Sequence, residues 1–277
     1  EEIKTEYIQE IQTQFIMNIQ DEFLEDIKEN IQNGLNTSEI DEGNDITYSK
    51  GNIIYTITST SNKKNNKNIS NTTSIDLGDC EGKLKYKYNI SKNDSLYILK
   101  IDAIFGNMNK LEYEVYYPFS TNNLTKLDLM ICKNMKVDIT IPKYIPPNEL
   151  DKYNKSSKIY NDICYISEND SDIYKPLKDR QDEFVNSNIS VCEEDCDLIS
   201  YNVKTNESLC SCYIKLKLPL ISEIKIDKEK MFSNFKNIKN IANLNLLKCY
   251  YLLFQKHNII KNSANYIVAI LILMSII

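Results

Sequence analysis

The 277-residue chain has no tryptophan, one histidine (His257), one arginine (Arg180) and six glycines, none of them after Gly106. Each shortage closes off a kind of chemistry. His257 sits between Lys256 and Asn258, and no Gly-x-Ser-x-Gly elbow accompanies it, so a serine or cysteine nucleophile has no placed base. Phosphate-cradling loops and dinucleotide fingerprints need close backbone approach, for which the C-terminal half offers no glycine. A nucleotide enzyme is therefore not expected. The net charge of -6 and a pI near 5.1 supply no general basic field, so nucleic acid is not an expected partner. Asn, Ile and Lys are abundant while arginine is nearly absent, the imprint of AT-rich codon usage, so lysine runs carry little functional weight.

A full membrane span is also missing. Tyr266 to Ile277 is an uninterrupted stretch of twelve apolar or near-apolar residues, about 18 Å as a helix against roughly 30 Å of hydrocarbon. It reads as a transmembrane helix continuing past Ile277, as a lipid-anchor signal, or as a core helix. Ser263 and Ala264 lie almost against the tail, leaving no polar spacer for an anchor signal, which favours the interrupted span. The chain opens on Glu1 without a charged-then-apolar leader, as expected after removal of a signal or at the start of a fragment. The N-terminal side would face outward.

Two residue types are over-supplied. Asn-x-Ser/Thr sequons fall at Asn36, Asn68, Asn71, Asn89, Asn93, Asn123, Asn154, Asn169, Asn188 and Asn206, where chance placement would give roughly four. None of the eight asparagines from Asn234 to Asn265 is in a sequon, the pattern of a glycosylated ectodomain leading to a membrane-proximal region. The cysteines are Cys80, Cys132, Cys164, Cys192, Cys196, Cys210, Cys212 and Cys249. Zinc sites use C-x2-C knuckles or spaced histidines, and a thioredoxin-type pair needs C-x-x-C; neither is present, so no metal or cofactor is expected. An even count beside dense sequons reads as disulfides. Cys80 and Cys132, isolated together in a β-rich region, form a natural pair; the other six allow 15 pairings.

Residues 1–34 read as a helix, with Ile3, Tyr7, Ile11, Phe15, Ile19, Phe23, Ile27 and Ile31 every four positions and Ile8, Ile16 and Leu24 widening the stripe. A four-residue repeat drifts by roughly 40° per step. The stripe therefore winds around the helix, either bent over the chain's own sheet or packed against another protein or copy. From 46 to 142 the period becomes two: residues 53–58, "KLKYKYNI" (83–90), 95–101, "LEYEVYYPF" (111–119) and "MKVDITIP" (135–142) read as strands. "CYIKLKLP" adds one more through Ile214, Leu216 and Leu218.

The fold class is thus mainly β, an antiparallel sandwich or sheet, with a long N-terminal helix, a disulfide-rich module and C-terminal helices. The expected divisions are 1–34, the β domain 35–145 ended by proline-rich "IPKYIPPNEL", the cysteine-rich module 146–220, a membrane-proximal helical segment 221–258 through Met231, Phe235, Ile238 and Ala242, and the tail 259–277. "STSNKKNNKNISNTTS" (59–74) reads as a loop.

Candidate chemistry is sparse. The acidic run in "CEEDC" (192–196) reads as solvated surface. Glu168, Asp170 and Asp172 with Asn169 offer oxygens for Ca2+ but lack the glycine turn of a calcium loop, and a solvated loop is the plainer reading. The nineteen tyrosines fall mostly on strands and support β structure before sugar binding.

The order Cys164, Cys192, Cys196, Cys210, Cys212, Cys249, with its C-x-C, resembles a stretched epidermal-growth-factor module. That resemblance implies Cys164–Cys196, Cys192–Cys210 and Cys212–Cys249; Cys249 as a free or lipidated juxtamembrane thiol is the alternative. The runs "SIDLGDCEGKL", "KLDLMIC", "YNDICYISENDSDIYKPLKDRQDEF" and "NIANLNLLKCYYLLF" resemble uncharacterised membrane-anchored surface glycoproteins of AT-rich microbial eukaryotes. The resemblance implies a glycosylated, disulfide-bonded ectodomain before membrane segments. Three functions follow as expectations: a non-enzymatic surface glycoprotein for adhesion, recognition or lateral assembly; a subunit of an extracellular filament or coat polymerising through its N-terminal helix; or a secreted hydrolase using carboxylates.

Overall fold

A computed structural model describes residues 19–62, 72–105, 108–120, 123–165, 175–187 and 189–233, together with Phe235, Cys249 and Ile270. Nine strands form two antiparallel sheets among these residues. The first has the order β1 (Ile46–Lys50), β2 (Ile53–Ser59), β4 (Tyr97–Phe105), β5 (Met108–Ser120), β6 (Asn123–Lys126). The second has the order β3 (Ser74–Asp76), β7 (Lys136–Pro142), β9 (Glu207–Tyr213), β8 (Cys196–Asn202).

Side chains alternate faces along a strand, so each sheet sorts its own sequence. On β4, Tyr97, Leu99, Ile101 and Ala103 face outward with Tyr55 and Ile57 of β2. Ile98 faces the second sheet with Leu111, Tyr113 and Val115 of β5, against Ile75, Val137, Ile139, Cys210 and Cys212. The outward side is roofed by helix α1, which occupies 19–34 among the described residues and is followed by the single turn α2 (Ser38–Asp41). Leu24, Ile27 and Ile31, spaced three and four apart, are buried on that sheet, as one helix face requires. Within 19–34 the apolar stripe is thus core of its own chain; residues 1–18 lie outside the description.

One expected strand is a helix. "KLKYKYNI" was expected to alternate Leu84, Tyr86, Tyr88 and Ile90 on one face, but Asp79–Lys87 is α3. Cys80 and Leu84, one turn apart, are its buried residues, while Tyr86 is 90% exposed. Asp79 and Glu81 occupy the first turn and Lys85 and Lys87 the last, matching the helix dipole. The Glu81–Lys85 pair closes at 2.7 Å across one turn. A lysine at every second position has the period of a strand and scatters around a helix; the end charges and the Cys80–Leu84 spacing outweigh it and decide for the helix.

The strand expected through "CYIKLKLP" ends at Tyr213. Ile214 adds one bond to Met135 O at 3.0 Å, and Lys215 then turns inward. The second sheet also runs across the expected boundary at 145/146: β7 pairs with β9 from Lys136↔Tyr213 to Pro142↔Glu207. Strand-rich and cysteine-rich parts share one sheet and one core.

A third cluster gathers short helices α4 (Lys158–Asn161), α5 (Leu177–Asn186) and α6 (Lys228–Ser233) around Tyr160, Phe184, Met231 and Phe235. Arg180 holds it together. Its guanidinium donates to the carbonyls of Lys175 at 3.1 Å, Asp162 at 3.0 Å and Ile159, a fork that lysine cannot reproduce. The membrane-proximal helix is described only as α6, and the expected loop centre (63–71) and the tail lie outside the described residues, apart from exposed Ile270. Among the described residues no helix is long and apolar enough to cross a membrane.

The helical placement of α3 has a direct test. Leu84→Ala should cost about 2–5 kcal/mol in urea unfolding, whereas Tyr86→Ala should stay within about 0.5 kcal/mol. A strand with both side chains inward would lose heavily from each.

Candidate functional site

All eight cysteines are paired: Cys80–Cys132, Cys164–Cys249, Cys192–Cys210 and Cys196–Cys212. The first joins α3 to the turn Leu129–Cys132, as expected. Cys192–Cys210 also agrees with the growth-factor-like pairing, but the structure replaces that resemblance's other two bridges. The reason is register. Cys196 and Cys212 are direct partners across β8 and β9, with Cα atoms 4.3 Å apart, within the separation of facing residues on antiparallel strands. Cys210, two positions from Cys212, shares its face and reaches Cys192. The C-x-C motif is thus one face of one strand, and Cys249, bonded to Cys164, is not a free thiol.

This bridging overturns the reading of "CEEDC" as solvated. With Cys192 and Cys196 both tied to β9, the loop between them is drawn inward, and Glu193 and Glu194 are buried while Asp195 stays exposed. Glu193 accepts from the Leu111 amide at 2.6 Å, and Lys215 Nζ donates to the Leu111 carbonyl at 2.6 Å. The same ammonium meets Glu193 at 2.6 Å and Glu112 at 2.9 Å. Glu194 accepts from the Asp227 amide at 2.7 Å and lies 3.5 Å from Lys110. Two side chains therefore satisfy a stretch of β5 edge that no strand covers, protecting it as an exposed edge must be protected.

The electrostatics follow from geometry. Burial raises the Glu112 carboxyl, with Lys215 pulling it back. Burial also works against the Lys215 charge, but Glu193 and Glu112 outweigh it and hold the ammonium well above the usual lysine range. The two carboxylates brought together here are thus engaged on one cation, not facing open space as a hydrolytic pair requires.

Beside the cluster lies a cleft of about 260 Å³ lined by Tyr113, Val115, Leu127, Leu129, Leu216 and Leu218, with the Glu114–Lys126 ion pair. Tyr113 accepts from the Lys215 amide at 3.3 Å. A second buried polar group was not foreseen. Lys100 and Asp102, on the central strand, bind the residue that leads into β3: Lys100 donates to Thr73 O, and Asp102 accepts from Thr73 N at 3.2 Å and Oγ1 at 2.6 Å. Burial pushes Lys100 down and Asp102 up. A lysine and an aspartate inside "YILKIDAIF" were the available signal.

Of the sequons, Asn36, Asn89, Asn93, Asn123 and Asn206 are exposed and Asn154 is half-buried; Asn68, Asn71, Asn169 and Asn188 lie outside the described residues. Asn89 and Asn206 sit in left-handed turns, at φ +56° and +57°, which asparagine tolerates better than most residues. Glu168, Asp170 and Asp172, weighed as calcium donors but read as a solvated loop, also fall outside, and no cluster among the described residues could hold a metal ion. Comparison with known proteins adds no relative: no family model, no curated protein and no solved structure matches the chain.

Removing the shared cation should expose its role. Lys215→Ala leaves two buried carboxylates without their counter-ion, which should cost about 3–5 kcal/mol near neutral pH. Because burial pushes the Glu112 carboxyl upward, the loss should shrink as acid protonates it; a pH-independent loss would contradict the cluster. The tyrosines give a second readout. Burial pushes Tyr113, and burial with Asp21 pushes Tyr55, to about 12 from the usual 10. Above pH 10 the unfolded phenols ionise while the folded ones keep their protons, so stability intact below pH 10 should be lost towards pH 12. Phenolate absorbance with parallel urea melts checks this.

Proposed function

We propose that the chain is a non-enzymatic domain of an extracellular surface glycoprotein, anchored to the membrane at its C-terminus and working in adhesion, recognition or lateral assembly. The observation that carries this reading is the pairing of all eight cysteines in four bridges, a state that persists in oxidising compartments. Five exposed sequon asparagines at turns and strand ends support it, since N-linked glycans require accessible surface loops. The buried carboxylates Glu112 and Glu193 are both engaged by Lys215, which favours recognition over acid–base chemistry. The apolar stretch from Tyr266 to Ile277 is the anchor in this reading, and a protein partner is the expected ligand class.

Expressed in a eukaryotic secretory host, the full chain should give the four linkages in a non-reducing peptide map and occupied glycans at several described sequons. Recovery of free thiols at all eight positions, with no sugar attached, overturns the proposal.

A further inference from the structure

The exposed apolar surface at the end of the β5–β6 hairpin where Ser120 pairs with Asn123 points to a specific glycan contact. Phe119 is 49% exposed. Its ring stands edge-on to Tyr117, with centroids 4.9 Å apart, and lies 6.1 Å from Tyr88. The two tyrosines are fixed in place: Tyr117 donates to Asp94 at 2.7 Å, and the Tyr88 oxygen accepts from the Asp128 amide at 2.9 Å. Phe119 therefore presents a ring face already positioned by its neighbours.

The hairpin register puts a sequon beside that ring. Thr125 pairs with Tyr117 and Leu124 with Pro118, and after a bulge Asn123 pairs with Ser120. Leu124 is buried with the α1-side cluster, so Asn123 and Thr125, its neighbours on either side, project to the opposite face. That is the face of Tyr117, which packs towards the other cluster, and of Phe119, whose ring rests on Tyr117. Both Asn123 and Thr125 are exposed. The asparagine and hydroxyl of one sequon thus lie on the face of Tyr117, and Phe119, the unpaired residue of the bulge, falls between their register partners Ser120 and Tyr117.

We propose that the first N-acetylglucosamine of a glycan on Asn123 stacks on the Phe119 ring and covers this aromatic platform. The sugar ring offers a face of C–H groups, and an aromatic face is its electrostatic complement, carrying the negative side of the ring quadrupole. The glycan then covers apolar surface that the polypeptide leaves open. The inference rests on the glycoprotein reading above and names one site and one contact within it.

The test uses the full chain made in a glycosylating host, with site occupancy mapped by mass spectrometry. Asn123→Gln should shift the folding equilibrium constant by roughly two- to tenfold towards unfolding, the range of aromatic contacts. In a Phe119→Leu background the same change should have no effect. The acetyl methyl proton signal of that sugar should lie upfield with Phe119 present and return to its free position in Phe119→Leu, a readout independent of stability. An equal shift in both backgrounds, or an effect that follows Asn89→Gln or Asn93→Gln instead, overturns the contact. An empty Asn123 with other sequons occupied overturns it while leaving the glycoprotein reading standing; absence of sugar everywhere removes both.

Discussion

Strand β9 is the constraint on which the rest of the molecule depends. It lies between β7 and β8, joining Lys136–Pro142 to chain some seventy residues later, and so closes the second sheet from distant segments. Its inward positions are Cys210 and Cys212, each spent on a bridge that holds the preceding loop. That loop carries Glu193, and the chain leaving β9 carries Lys215; together they reach across to the Leu111 edge of the first sheet. Bringing such remote segments together has an entropic cost that local contacts do not repay, and bridges that restrict the unfolded chain offset part of it.

The fold also keeps several charged groups inside by giving them backbone to bind. Lys215 completes an edge, Arg180 gathers three carbonyls and Lys100 with Asp102 takes both main-chain groups of Thr73. In each case the buried charge replaces a strand or a turn as hydrogen-bond partner. The desolvation penalty is tolerable because the alternative is an unpaired peptide group in the interior.

Where one face of a strand is wet, the alternation was legible: β7 shows it through Val137, Ile139 and Ile141; on β5 both faces of 111–116 are covered, and the alternation stayed visible only because Glu112 and Glu114 interrupt the apolar residues. β4 is covered on both sides, so its two faces merge into an apolar run in which Lys100 and Asp102 look misplaced. α3 was obscured because alternating lysines mimic a strand when helix ends are not weighed. The disulfide-bonded state was readable from count and context, and the Cys80–Cys132 pair from isolation. The partners of Cys164 and Cys196 were not, because pairing depends on which residues face each other across β8 and β9. "CEEDC" misled for the same reason: acidic residues default to solvent, and only the bridges on either side pull them in. The Phe119 platform was legible in neither half, since ring and sequon meet only through the bulge.

The Cys164–Cys249 bridge encloses an 85-residue span that includes both other bridges of the cysteine-rich part. A protease cutting once anywhere within that span would nick the chain without detaching either piece, and the break would show only after reduction. A cut between Cys132 and Cys164 has no such safeguard, because no covalent link crosses it; there, non-covalent contacts alone, the shared core, the strand pairs and the Lys215 cluster among them, would keep the two parts in register.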